Sequence, residues 1–140
     1  MEALRGAMHE SVLGGKRRGQ RILLADDDPD SLDGLRSLLE AWGYEVKTAR
    51  DGRAALDQVP VVHPSVVITD VVMPRMSGLE LLEVLHHERP GIRVIVLTAH
   101  GTRETRRRAA AQGAFAYLPK PIDATRLRLV LGSALEGEES

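Results

Sequence analysis

Apolar residues are concentrated in five short runs, and longer segments with helical spacing lie between them. Each run is rich in Val, Ile, Leu or aromatic residues. The runs cover Arg21 to Asp26, Tyr44 to Ala49, Ser65 to Asp70, Ile92 to Thr98 and Phe115 to Leu118. Short apolar runs of this kind are typical of strands buried on both faces. The alternation predicts an α/β fold of five strand-helix units, with helices on both faces of a doubly wound parallel sheet.

The segments between the runs carry start and stop signals of helices. The first is expected from Asp28 to Gly43, the second from Gly52 to a stop before Pro60, the third from Ser77 to a stop before Pro90, the fourth from Thr102 to Gln112 and the fifth from Asp123 to Leu135. Asp28 is the predicted N-cap of the first helix, since Pro29 suits the first helical position. Ser77 and Glu80 predict a capping box at the start of the third.

The fourth predicted helix is the most polar. It contains four arginines, and its only apolar residues are Ala109, Ala110 and Ala111. Alanine side chains bury little surface, so we expect this helix to be weakly anchored on the sheet. Its arginine-rich side is either a solvated face or a surface that binds a partner.

Composition limits the possible functions. The 140 residues correspond to one domain, and a net charge of −1 lacks the basic excess of a dedicated nucleic-acid binder. The absence of cysteine excludes disulfides and thiolate metal sites and fits a cytoplasmic location. No apolar stretch is long enough to span a bilayer, so membrane binding is not expected. Because the net charge is close to zero, direct nucleic-acid binding is not expected either. We interpret residues 1–20 as a flexible leader, 21–135 as the domain and 136–140 as an acidic tail.

Polar residues with complementary chemistry stand at the ends of the predicted strands. Asp26, Asp27, Asp70, Thr98 and Lys120 all occupy such positions, and ligands of open parallel sheets bind beyond the carboxyl ends of the strands. Neighbouring carboxylates repel each other unless a cation joins them, and oxygen ligands suit Mg²⁺. A carboxylate, a cation site, a hydroxyl and an ammonium at one edge predict a pocket that accepts a phosphoryl group.

Four stretches in combination resemble the receiver domain of bacterial two-component response regulators, and the resemblance extends from about Arg21 to Leu135. The matching stretches are Ile22 to Asp28, Val67 to Leu82, Val96 to Ala99 and Gly113 to Pro121. The resemblance implies a flavodoxin-like sheet with strand order 2-1-3-4-5.

The resemblance also implies a role for each site residue. Asp70 would be the phosphoacceptor, and Mg²⁺ would be held by Asp27 directly, by Asp26 through water, by Asp70 and by the backbone carbonyl of Val72. Thr98, Ala99 and Lys120 would bind the phosphoryl group, Thr98 and Tyr117 would form the switch, and the Lys120-Pro121 peptide would be cis. Without the resemblance, Tyr117 is simply a half-buried strand aromatic.

The implied function is that of a signalling switch. A sensor histidine kinase or a phosphotransfer protein would supply the phosphoryl group, and the domain would assist only its own phosphorylation and dephosphorylation. Phosphorylation would change the face formed by the fourth helix, the fifth strand and the fifth helix. That face would control a downstream protein or output domain, or would form a homodimer.

A small Mg²⁺-dependent phosphohydrolase of the haloacid dehalogenase type is the alternative. Asp26 would then be the nucleophile and Asp28 the general acid, because the two carboxylates have the required spacing. Against it, Pro29 follows at once, no insertion is present to enclose a substrate, and the later acidic motif is missing. The two hypotheses differ in the nucleophile, which is Asp70 in the first and Asp26 in the second.

Overall fold

A five-stranded parallel sheet forms the centre of the fold in the computed structural model, which describes residues 20–139 and the side chains up to Glu136. The strands are β1 (Arg21–Ala25), β2 (Glu45–Ala49), β3 (Val66–Asp70), β4 (Arg93–Thr98) and β5 (Ala116–Pro119). Their order in the sheet is β2-β1-β3-β4-β5, and every neighbouring pair is parallel. The predicted flavodoxin-like fold is therefore confirmed.

Within residues 20–139, five helices follow the strands in turn. They are α1 (Pro29–Ala41), α2 (Gly52–Val62), α3 (Gly78–Glu88), α4 (Arg103–Ala111) and α5 (Ala124–Glu139). The Ser77 hydroxyl accepts from the Glu80 N–H, and the Glu80 carboxylate accepts from the Ser77 N–H, so the predicted capping box is present. Within the described part of the chain, no helix is long and apolar enough to cross a membrane.

Apolar side chains alternate between the two faces of the sheet and build one hydrophobic layer on each. Along β1, Ile22 and Leu24 face the layer that contains the leucines of α1 and α5. Leu23 and Ala25 face the layer formed with α2, α3 and α4. Because successive strand residues point to opposite faces, one short strand serves both layers. The central strands are thus held from both sides, and their carboxyl ends are fixed in space.

The predicted end of the second helix is wrong. Helix α2 continues through Pro60 to Val62, and its last turn closes with a bond from the His63 N–H to the Val59 carbonyl at 2.9 Å. Proline removes one helical donor, but Val59 and Val62 are both buried in this turn. Their burial stabilises a turn that the local sequence disfavours.

Two further expectations about the helices need correction. Of the three alanines expected on the inner face of α4, only Ala109 is buried, whereas Ala110 and Ala111 are exposed. Helix α5 continues to Glu139, so residues 136–139 of the predicted acidic tail are helical. The predicted leader, apart from Gln20, lies outside the described residues.

Candidate functional site

The candidate site lies where the strand order reverses. Strand β1 is followed by β2 on one side of the sheet, and β3 is followed by β4 on the other. Asp26 comes directly after β1 and is buried, while Asp70 is the last residue of β3 and is partly exposed. Connections that diverge at this point leave a crevice beyond the strand ends, which is where ligands of such sheets bind.

Three carboxylates converge in this crevice. Asp26, Asp27 and Asp70 each offer an oxygen, and these oxygens all lie within 4.8 Å of one another. Asp26 is buried, Asp27 is exposed and Asp70 lies between these extremes, so the cluster opens toward solvent on one side. Oxygen donors with room for water are the ligands that Mg²⁺ prefers. The donor set therefore fits a hard divalent cation.

Asp28 does not join the three carboxylates. It stands at the N-cap of α1 with extended backbone, as the sequence predicts, but its side chain makes no capping bond. Instead, the Asp28 N–H donates to Asp26 Oδ1 at 3.0 Å. The residue expected to cap the helix thus orients the buried carboxylate through its backbone.

Lys120 directly follows strand β5, and its ammonium group bridges the carboxylates at the ends of β1 and β3. Its Nζ lies 2.9 Å from Asp26 Oδ2 and 3.3 Å from Asp70 Oδ2. The Lys120 N–H donates to the Thr98 carbonyl at 2.9 Å, and the Lys120-Pro121 peptide bond is cis. The ammonium is therefore already placed between the carboxylates that crowd the crevice.

Burial and charge both shift the ionisation of this group of residues. Burial raises the pKa of the Asp70 carboxyl; the nearby Lys120 charge opposes this rise and the Asp26 charge adds to it. Burial by itself lowers the pKa of Lys120, but its bond to Asp26 and the charges of Asp70 and Asp26 more than compensate, so its pKa is raised. Lys120 is thus held as a cation, and Asp70 is a carboxylate whose charge the surroundings only partly stabilise.

The loop after β3 carries Val72 at the rim of the crevice. Its start is pinned, because the Val71 N–H donates to Asp70 Oδ1 at 2.8 Å and the Gly78 N–H donates to the Val71 carbonyl at 2.8 Å. A Cβ on Gly78 would collide with the Asp70 carbonyl oxygen, so only glycine allows this approach. The Val72 side chain is 70% exposed. The loop thus holds the backbone of Val72 beside Asp70 with its side chain toward solvent.

Thr98, Ala99 and Tyr117 form the adjoining part of the site. Thr98 is buried at the end of β4, and its hydroxyl accepts from the His100 N–H at 3.2 Å. Ala99 is exposed at the start of the following loop. Tyr117 lies on the neighbouring strand β5, is partly exposed, and its hydroxyl lies 2.8 Å from Thr105 Oγ1. The two residues predicted as a switch therefore lie on adjacent strands.

Two residues of α4 contact Tyr117. Thr105 was not singled out from the sequence, whereas Arg106 belongs to the arginine-rich side that was predicted to be solvated or to bind a partner. Thr105 meets the Tyr117 hydroxyl, and the Arg106 guanidinium lies 4.9 Å from the centre of the Tyr117 ring. The Thr102-x-x-Thr105 spacing was available as a signal, since it resembles a capping box with threonine in the position of glutamate. The contact with Tyr117 had no such signal, because it joins residues on different elements.

The fold and the site together define a flavodoxin-like α/β domain with an acidic cation site and a lysine at its switch point. The chain belongs to the response regulator receiver domain family, whose sequence model matches residues 22–131. It is similar to the nitrogen assimilation regulatory protein NtrX of Azorhizobium caulinodans, with 36% identity over 117 residues, which are 82% of this chain and 26% of that protein.

Two further comparisons agree with this assignment. The transcriptional regulatory protein ZraR of Escherichia coli (strain K12) is 40% identical over 114 residues, which are 81% of this chain and 26% of that protein. The crystal structure of a CheY-like response regulator receiver domain protein from Methanospirillum hungatei JF-1 matches with a TM-score of 0.82 at 33% identity, and the match covers 86% of this chain and 97% of that one. The chain spans about a quarter of the length of the two curated relatives.

Membership of this family favours the first of the two functional hypotheses. Residues 22–131 match a signalling domain rather than an enzyme family, which argues against the haloacid dehalogenase alternative. The position of Asp28 agrees, because its side chain is exposed at a helix start and lies outside the carboxylate cluster.

Proposed function

We propose that Asp70 accepts a phosphoryl group from the phosphohistidine of a sensor histidine kinase or a phosphotransfer protein. An oxygen of the Asp70 carboxylate forms a bond to phosphorus while the P–N bond to the imidazole breaks. The imidazole nitrogen takes a proton as it leaves, and the product is an acyl phosphate on Asp70. The juxtaposition of Asp70 with Asp26, Asp27 and Lys120 is the observation that carries this proposal.

The surrounding residues would reduce the repulsion between the carboxylate and the anionic donor. Mg²⁺ held by Asp26, Asp27, Asp70 and the Val72 carbonyl would neutralise charge on the phosphoryl oxygens. Lys120 is already within ion-pair distance of Asp70 and supplies a second positive charge. The Thr98 hydroxyl and the backbone at Ala99 stand at the end of the neighbouring strand, where they would donate to the remaining oxygens.

The acyl phosphate would then act on the surface beyond Thr98. Movement of the Thr98 hydroxyl toward the new oxygens would let Tyr117 turn inward, and the loop that follows Thr98 would displace α4. The face of α4, β5 and α5 would consequently bind a downstream protein, an output domain or a second copy of the chain. Such a switch would operate in the cytoplasm, where the relatives named as transcriptional regulators would meet their targets.

Phosphorylation by acetyl phosphate tests the proposal. Mass spectrometry should show one added phosphoryl group that is lost in mild base, and excess chelator should prevent its addition. Asp70→Asn should abolish the acyl phosphate, whereas Asp26→Asn should slow its formation without moving its position. The site assignment would be wrong if the phosphoryl group were found on a residue other than Asp70. It would also be wrong if excess chelator left the extent of phosphorylation unchanged.

A further inference from the structure

Tyr117 is held in its present position by contacts that belong to α4. Its hydroxyl lies 2.8 Å from Thr105 Oγ1, and the Arg106 guanidinium lies over its ring. Among these, the contact with Thr105 is directional and requires both hydroxyl groups. The position of the ring is therefore coupled to one side chain on the first turn of α4.

The bonding around Thr105 ties Tyr117 to the start of α4. Thr105 Oγ1 accepts from the Thr102 N–H at 2.9 Å, and its one proton can go to the Thr102 carbonyl at 3.1 Å, to Thr102 Oγ1 at 3.2 Å or to the Tyr117 hydroxyl. In each case the Tyr117 and Thr105 hydroxyls can bond to each other, with one of the two as the donor. The tyrosine thus completes a hydrogen-bonded group that also caps the helix.

A cleft adjoins both the tyrosine ring and Thr98. A cleft of about 310 Å³ is lined in part by Thr98, Gly101 and Tyr117. A Cβ on Gly101 would come within 2.6 Å of the Tyr117 hydroxyl and 3.0 Å of Thr98 Cγ2. A side chain at position 101 would therefore crowd both Tyr117 and Thr98, and glycine leaves the space beside them to the tyrosine ring.

We propose that Thr105 is a positioning residue that holds Tyr117 outward and so lowers the affinity of the site for a phosphoryl group. This inference rests on the proposed function. Inward rotation breaks the Tyr117–Thr105 bond, so the bond stabilises only the outward state. A ligand that binds the inward state better must supply the free energy of the Tyr117–Thr105 bond. Its apparent affinity is therefore lower by the factor that corresponds to this free energy.

Binding of beryllofluoride in excess Mg²⁺, followed by ¹⁹F NMR, measures this effect. Thr105→Val keeps the shape of the side chain but cannot form a hydrogen bond with Tyr117, and its affinity for beryllofluoride should rise about fivefold, as expected for the loss of one hydrogen bond. Thr105→Ser restores the hydroxyl and should stay within about twofold of the unmodified chain.

Two controls separate this role from helix capping. In a Tyr117→Phe background, Thr105→Val should change the affinity no further, because the bond is already gone. Thr102→Ala removes the hydroxyl that accepts from the Thr105 N–H and that lies 3.2 Å from Thr105 Oγ1, but it leaves the Thr105 hydroxyl to bond with Tyr117, so it should not raise the affinity. A gain that persists in the Tyr117→Phe background, or an equal gain in Thr102→Ala, would overturn the role of Thr105.

The same measurement keeps the two proposals apart. If the unmodified chain fails to bind beryllofluoride, the proposed phosphoacceptor function is wrong. If it binds and Thr105→Val binds no more tightly, only the role assigned to Thr105 is wrong. Circular dichroism of each variant shows whether the fold is intact before the affinities are compared.

Discussion

At the scale of single residues, we expect Val72 to limit the hydrolysis of an acyl phosphate on Asp70. It is apolar, 70% exposed, and two positions after Asp70 on the loop that borders the crevice. A side chain without donors or acceptors cannot orient an attacking water molecule. His100, which follows Thr98 by two positions, is exposed and is the other candidate to do so.

We therefore expect the phosphorylated chain to lose its phosphoryl group slowly. Val72→Asn should speed the decay at least about tenfold, because the asparagine amide can hydrogen-bond to the attacking water molecule and orient it. Val61→Asn is a matched control, because Val61 is an exposed valine on α2. Decay after removal of acetyl phosphate gives the rates, and an unchanged or lower rate in Val72→Asn would contradict this expectation. His100→Ala shows whether histidine compensates.

At the scale of elements, α4 differs from the other helices in how little it buries. Its only buried residue is Ala109, whereas α1 buries Leu32, Leu35 and Leu39. A buried leucine contributes about 2 kcal/mol, and alanine contributes far less. Few apolar contacts allow local opening and displacement at low free-energy cost. Helix α4 is therefore the element best able to respond to a small change at Thr98.

Amide hydrogen exchange should show this difference directly. In the free chain, α4 should exchange fastest among the helices, since even α2, the weakest by apolar content in the sequence, buries Ala55, Val59 and Val62. With beryllofluoride bound, the largest change should fall between Thr98 and Gln112. Helix α3, with four buried leucines, serves as the internal reference. Uniform protection of all helices, or a change confined to α2, would show that α4 is not the mobile element.

At the scale of the whole molecule, the carboxylate cluster couples metal binding to stability. Asp26, Asp27 and Asp70 crowd one edge of the sheet, and Lys120 compensates only part of their charge. A cation that binds the folded state alone stabilises it by mass action, by about 2.7 kcal/mol when its concentration is a hundred times Kd. The melting temperature should therefore rise with added Mg²⁺.

The variant Asp27→Asn should reduce this rise, because one ligand is replaced by a neutral amide. Without metal it should be at least as stable as the unmodified chain, since one repulsive charge is removed. Asp30→Asn is the control, because Asp30 is exposed on α1 and lies outside the cluster. Differential scanning calorimetry with and without Mg²⁺ measures both effects, and an undiminished rise in Asp27→Asn would exclude Asp27 as a ligand.

Much of the architecture was determined by the sequence alone. Buried parallel strands are continuous apolar runs, so their positions could be read locally, and polar residues at their ends identified Asp26, Asp70, Thr98 and Lys120. The capping box at Ser77 was equally visible, because it depends on residues three positions apart. The strand order came from the resemblance of motifs, and the sheet confirmed it.

Only the tertiary structure decided features that depend on distant residues. Lys120 reaches Asp26 across 94 positions and Asp70 across 50, a convergence that no local pattern measures. Pro60 lies inside α2 because the burial of Val59 and Val62 outweighs a lost helical bond, and two of the three alanines of α4 face solvent. The Tyr117–Thr105 bond joins β5 to α4 in the same way. Local spacing specifies elements, whereas packing between elements selects which side chains meet, because that choice depends on the free energy of the whole fold.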